Sequence, residues 1–141
     1  MPCLSGQFNP QIGPLTNIAL MPVGTAPSAP TASPVNISQT FIALIDTGAT
    51  TTCITPAVAQ LAGLQPIGRR PMISATHETD VNVYLADIFV PFGNLVYSIP
   101  GLQVMEFATP PGSPFQMLLG RDVICSGVLT LSFDGAFTFS L

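Results

Sequence analysis

The sequence predicts an all-β domain. Short apolar segments recur between prolines and glycines, and long helical periodicity is absent. One stretch alternates with a period of two: Val81, Val83 and Leu85 are interleaved with Asn82, Tyr84 and Ala86. The 141 residues suit one domain, 1–141, and can bury a sizeable core. Within it, residues 1–14 read as a loose N-terminal extension and residues 24–35 as a Pro-rich surface loop.

The elements follow in order. A first strand is expected over roughly Leu15–Val23. The run GTAPSAPTASP combines three prolines with small and polar companions, which predicts exposed, extended chain. A second strand is expected at about Asn36–Ile45 and another at about Thr51–Ile54. TPAVAQLAGL predicts a short helix: Thr55 is a good N-cap, Pro56 suits the first helical position, and Gly63 can end it. Residues 69–99 read as hairpins with a tight turn at Gly93-Asn94. Residues 109–116 form a loop, MLLG a short buried strand, and RDVICSG one or two helical turns ending at Gly127. The chain closes on a hairpin, VLTLSF and AFTFSL, joined by the two-residue turn Asp134-Gly135. This ribbon looks apolar on both faces, an aggregation hazard unless something covers it.

Composition narrows the function. The chain is 48% hydrophobic and only 7% charged, with net charge −4, three arginines and no lysine. Clustered cations for nucleic acid or anionic lipid are missing, so neither is expected as a partner. No apolar run approaches the about 18 residues of a membrane span, and the N-terminus does not read as a signal peptide, so a cytoplasmic location is expected. Cys3, Cys53 and Cys125 are odd in number and widely spaced, as for reduced thiols. With His77 they lack zinc-knuckle spacing, so neither a metal nor any other cofactor is expected.

The first charged residue is Asp46, placed at the end of the apolar run Phe41–Ile45 and followed by Thr47-Gly48-Ala49. A carboxylate there is costly if buried unpaired. Taken alone, Asp-Thr-Gly reads equally as a turn in which Asp46 caps its own backbone. A second motif, Leu118-Leu119-Gly120 leading into Arg121, stands far downstream.

Together, LIDTGA (Leu44–Ala49) and LLGRDVI (Leu118–Ile124) resemble the retropepsin-like aspartic peptidases, single-domain homodimeric relatives of the retroviral proteases. The resemblance is specific over residues 41–54 and 117–126, rests on element order over 55–116 and 127–141, and does not cover residues 1–14 or the Pro-rich loop. It implies a closed β-barrel with a flap hairpin and one or two short helices. The strand ending at Gly120 should thread beside the Asp46 loop. The implied activity is aspartic endopeptidase, a hydrolase of peptide or protein substrates. Such chemistry needs two carboxylates about 3 Å apart sharing one proton. Asp46 supplies one, Gly48 lets backbone N–H groups approach, Thr47 offers a hydroxyl across the site, and Ala49 leaves room for substrate. Phe133-Asp134-Gly135 lacks the intervening Thr or Ser and too little chain follows it, so the second carboxylate has to come from a second copy.

The resemblance places Ala75, Thr76, His77 and Glu78 at the flap tip, where relatives often carry Gly. Their absence supports an alternative, a binding or dimerisation module on the same fold. Leu118, Leu119, Gly120 and Arg121 are read as structural neighbours of the site. Relatives pair the arginine with an Asp one residue past the Ala; here Thr50 occupies that position, so the pairing does not carry over. A Cys53–His77 hydrolase pair has no local support, and Cys53 reads as a small core residue. The terminal hairpin fits the intersubunit sheet that chain ends form in this family.

Overall fold

The computed structural model describes residues 2–24, 26, 31–33, 37 and 39–141. Eleven strands and two helices occur in the order β1 (Cys3–Gln7), β2 (Leu15–Pro22), β3 (Thr31–Ser33), β4 (Phe41–Ile45), β5 (Cys53–Ile54), α1 (Pro56–Leu61), β6 (Pro66–Ile73), β7 (Glu78–Phe92), β8 (Leu95–Glu106), β9 (Met117–Leu119), α2 (Arg121–Ile124), β10 (Val128–Leu131) and β11 (Ala136–Ser140). Asn36 and Ser38, part of the expected second strand, lie outside the described residues.

Six strands close on themselves. The pairing runs β8-β5-β9-β4-β2-β7 and returns to β8, so the barrel expected from the sequence is present. β4 shows why. Phe41, Ala43 and Ile45 are buried while Ile42 is exposed, the period of two that a half-covered strand requires. Its partner β9 lies parallel to it, Leu44 opposite Leu118 and Ile45 opposite Leu119. A parallel pair demands a long crossover, and residues 46–116 supply it. Ile18, Ile45, Ile54, Ile88, Val104, Met117 and Leu119 fill the barrel.

α1 forms as its sequence dictates. Thr55 Oγ1 accepts from Val58 N at 3.3 Å, Pro56 opens the helix, and Gly63 turns the chain out at φ +72°. Only Val58 and Ala59 are buried, so one face does the anchoring.

β7 is long enough to serve twice. Its second half belongs to the barrel, while Glu78–Val83 pairs with β6 to form a projecting hairpin. The base of this hairpin is tied by a polar ladder. Arg69 donates to Asn82 Oδ1, Asn82 donates to Glu106 Oε2, and Tyr84 donates to the same oxygen at 2.6 Å. Burial, then that bond to Glu106, pushes the Tyr84 phenol up from its usual range.

Three expectations need correction. Residues 1–14 are not a loose extension, for β1 pairs along its whole length with β11, Cys3 opposite Ser140 and Gln7 opposite Ala136. The terminal hairpin turn is longer than two residues. Ser132 N donates to Ala136 O at 2.8 Å, leaving Phe133, Asp134 and Gly135 as the loop, with Gly135 at φ +85°. Nor is the ribbon apolar on both faces. Phe137 and Phe139 face the core, while Thr130, Thr138 and Ser5 face outward.

The described residues of the Pro-rich segment make contacts with the rest of the fold. Thr31–Ser33 pairs with Val96–Ser98, and Ala26 and Ile37 pack against a small second core of Ala19, Phe89 and Val96. Asp87, 1% exposed, holds this region together. Its Oδ2 accepts from Gly24 N at 3.0 Å and Ala26 N at 2.8 Å, and its Oδ1 accepts from Gly101 N at 2.9 Å. The register slips between Ala86 and Ile88, across from Gly101, which bends β7 and β8 so that this carboxylate can reach three amides.

Candidate active site

The Asp46 loop is fixed from both flanks. Asp46 N donates to Leu119 O at 3.0 Å, continuing the β4–β9 pairing into the turn. The carboxylate then faces its own backbone: Oδ1 accepts from Gly48 N at 2.9 Å. Ala49 N donates to Asp46 O at 3.2 Å and closes the turn.

Arg121 clamps the far side. Its N–H donates to Ala49 O at 2.8 Å, Nη1 to Thr47 O at 3.3 Å, and Nη2 to Thr50 Oγ1 at 3.0 Å. The hydroxyl at Thr50 thus takes the guanidinium that a carboxylate would have held. Asp122, in the first turn of α2, reaches out of the helix. Its two oxygens accept from Thr52 N at 2.9 Å and Thr52 Oγ1 at 2.7 Å, and that Oγ1 accepts from Gly120 N at 3.1 Å. Sequence reading missed this pairing, because nothing in the run Thr50-Thr51-Thr52 marks which threonine is buried.

Gly120 is required by this crossing. A Cβ on it would stand 2.7 Å from Thr51 C and 2.9 Å from Thr52 N, both backbone. Gly120→Ala is expected to lower stability by about 1–3 kcal/mol. It should also lower kcat more than that loss explains, since the Asp46 loop has to shift. Thermal denaturation and kinetics on one preparation measure the two effects.

A cleft of about 630 Å³ opens over Asp46. Gly48, Ala49 and Thr50 line it from the loop, and Cys53, Met105, Phe107 and Leu118 from the barrel. Asp46 is the one ionisable carboxylate, ammonium or guanidinium group among these residues, so a largely apolar wall with a few hydroxyls surrounds a single acid. The projecting hairpin forms the roof, but its first arm does so: Pro71, Met72, Ile73 and Ser74 line the cleft. Ala75, Thr76 and His77 form the hairpin tip, and Glu78 begins β7. These four lie at or beside the tip of the projecting hairpin, while the residues that line the cleft come a few positions earlier.

The missing flap glycine has a geometric answer. Ser74 N donates to His77 O at 2.8 Å and His77 N to Ser74 Oγ at 3.2 Å. Among the described residues every positive φ belongs to a glycine, so this tip turns without needing one.

Cys53 and His77 do not form a pair. Cys53 Sγ donates to Thr51 O at 3.3 Å, whereas Thr76 Oγ1 lies 2.8 Å from His77 Nδ1. Burial pushes the Cys53 thiol up to about 11, with the Asp122 and Asp46 carboxylates adding to the shift. A thiol so raised is almost entirely protonated at pH 8, hence a poor nucleophile. Alkylation at that pH, followed by mass spectrometry, should label the exposed Cys3 and Cys125 and spare Cys53. Labelling of Cys53 at the same rate would contradict this. Among the described residues, no three Cys, His, Asp or Glu side chains gather as metal ligands, and no helix is long and apolar enough to cross a membrane.

A barrel with an Asp-Thr-Gly loop beneath a hairpin roof is the arrangement that the two sequence motifs implied. The family model described as aspartyl protease matches residues 34–123, and the chain belongs to that family. The fold agrees. A retropepsin-like aspartic protease from Rickettsia conorii superposes with a TM-score of 0.62 at 15% identity, over 97% of this chain and 89% of that one. A protease of simian foamy virus (mac) gives a TM-score of 0.40 at 24% identity, over 61% of this chain and 81% of that one. No curated protein matches.

Proposed function

We propose that the chain is an aspartic endopeptidase whose active site forms between two copies, each supplying Asp46. The observation that carries this reading is the Asp46 loop itself. A half-buried carboxylate, held by Gly48 N on a loop braced by Arg121, sits at the floor of a largely apolar cleft. One carboxylate cannot both take a proton from water and give one to a carbonyl. Two, brought face to face by a two-fold axis, can share a single proton and divide these tasks.

In the proposed mechanism the ionised Asp46 draws a proton from a water. The protonated Asp46 of the second copy polarises the scissile carbonyl. Collapse of the tetrahedral intermediate returns a proton to the leaving amine. The substrate lies extended beneath the β6–β7 hairpin and bonds to its backbone as an added strand. Met72, Met105, Phe107 and Leu118 favour apolar side chains on either side of the cut bond. Thr47, exposed at the rim of the loop, is available to the facing loop.

The test is cleavage of a peptide library from acid to neutral pH, with and without a pepstatin-like inhibitor. Cleavage that the inhibitor stops is the expected outcome. A stable dimer that cuts no peptide would overturn the reading in favour of a binding module.

A further inference from the structure

We propose that the peptide groove continues past the cleft into a second subsite, where Arg70 binds a carboxylate of the substrate. The proposal rests on the peptidase reading above and names a substrate class for it. The class is extended peptides that carry a carboxylate two residues beyond an apolar cleavage segment, on a side chain or at a chain end.

The chain has three arginines and no lysine. Two of the three are committed. Arg121 holds Thr47 O and Thr50 Oγ1, and Arg69 donates to Asn82 Oδ1 at 3.3 Å and to Asp80 O at 2.8 Å. Arg70 is exposed, and its guanidinium makes no hydrogen bond or ion pair among the described residues. A chain of net charge −4 thus presents one uncommitted guanidinium.

Strand register puts that group beside the cleft. Gly68 stands opposite Val83, Arg70 opposite Val81 and Met72 opposite Thr79, while Val83 in turn stands opposite Met105 on β8. Residues opposite one another share a face of the sheet, as do residues two apart on one strand. Met72 and Met105, which line the cleft, therefore share their face with Arg70 and Gln103, each two residues further from the hairpin tip. Two residues of strand span about 7 Å.

A groove of about 250 Å³ opens at that place, lined by Ile67, Gly68, Arg69, Arg70, Val83 and Gln103. Ile67 and Val83 supply apolar surface, and the Arg70 guanidinium and Gln103 amide supply donors. Gly68 helps to keep the groove open, for no atom stands within 4 Å of where its Cβ would be.

β6 is the last strand of its sheet, so its outer edge is free to take an added strand. A substrate strand paired there sends alternate side chains to the Met72 face. The one beside Met72 meets apolar surface. The next on that face, two residues along, comes beside Arg70. A guanidinium offers a carboxylate two parallel N–H donors, a fit that an amide or an apolar group cannot match.

Matched peptides test this. Each pair shares one apolar cleavage segment and an amidated C-terminus, and carries Glu or Gln at the outer position on either side of the cut bond. At about pH 5.5 the glutamate is ionised. The Glu peptide should then be cut about three- to tenfold faster in kcat/KM, with most of the gain in KM. Arg70→Ala should erase that difference, and Arg70→Glu should turn the preference toward a Lys peptide. A truncated peptide ending at the outer position, as free acid against amide, tells a chain-end carboxylate from a side-chain one. Equal cleavage within every pair, or a Glu preference that survives Arg70→Ala, would remove the subsite and leave the peptidase reading intact. Should wild type cut no peptide, the peptidase reading falls, and fluorescence polarisation measures binding of the same pairs. Tighter binding of the acidic member that Arg70→Ala abolishes keeps the subsite, and equal binding removes it.

Discussion

Asp46→Asn should leave a folded dimer that no longer cleaves peptides. The substitution is nearly isosteric, and Asn Oδ1 can still accept from Gly48 N, so the bond of 2.9 Å has a successor and the turn persists. What disappears is the ability to hold and release a proton. Positioned acid–base groups contribute about 10²–10⁴-fold each. In the proposed dyad one substitution removes both members, because each copy carries the change. Loss of at least that size in kcat/KM is expected, together with loss of pepstatin-like inhibitor binding. An unchanged thermal midpoint and dimer mass would separate chemistry from folding. Retained cleavage would remove Asp46 from the mechanism altogether.

Asp87→Ala should be the most damaging substitution away from the cleft. Three backbone amides, those of Gly24, Ala26 and Gly101, lose their acceptor at once in a buried place. Each orphaned donor costs on the order of 1–3 kcal/mol, reduced where water enters. A total of about 3–5 kcal/mol follows, comparable to breaking a buried charged contact. The midpoint should fall by on the order of 10 °C or more. Asp87→Asn is informative beside it. A carboxylate offers acceptors on both oxygens, while an amide offers one acceptor and presents N–H donors to donors. The Asn variant should therefore recover only part of the stability. Full recovery would mean that one of the two oxygens is dispensable.

The site's centre was legible in the sequence; its supports were not. Asp46-Thr47-Gly48-Ala49 after an apolar strand, and Leu118-Leu119-Gly120 before Arg121, are local patterns with specific chemistry, and the structure brings them together through β4 and β9. The Thr55 cap and the Gly93-Asn94 turn were equally local. Asp87 was not visible in the same way. It lies in YLADIFV, where a polar residue looks like one more outward position, and its donors lie 61, 63 and 14 residues away. β1 escaped notice for a related reason. Cys3–Gln7 alternates only weakly, and the partner that makes it a strand stands at the other end of the chain. Alternation tells which face a residue takes, and never which distant segment will cover it. The same gap separates the expected flap tip, 75–78, from the cleft wall at Pro71–Ser74, since turn chemistry marks the bend and not the arm that leans inward.

The parallel pairing of β4 with β9 also sets a schedule. Asp46 is synthesised before the carbonyl, arginine and glycine that set its loop, all of which lie at 119–121. Until that late segment arrives, the loop has nothing to lean on, and contacts so distant in the chain are slow to form. On the proposed peptidase reading, the site is therefore incomplete until this late segment has been made. The delay is written into the order of the strands.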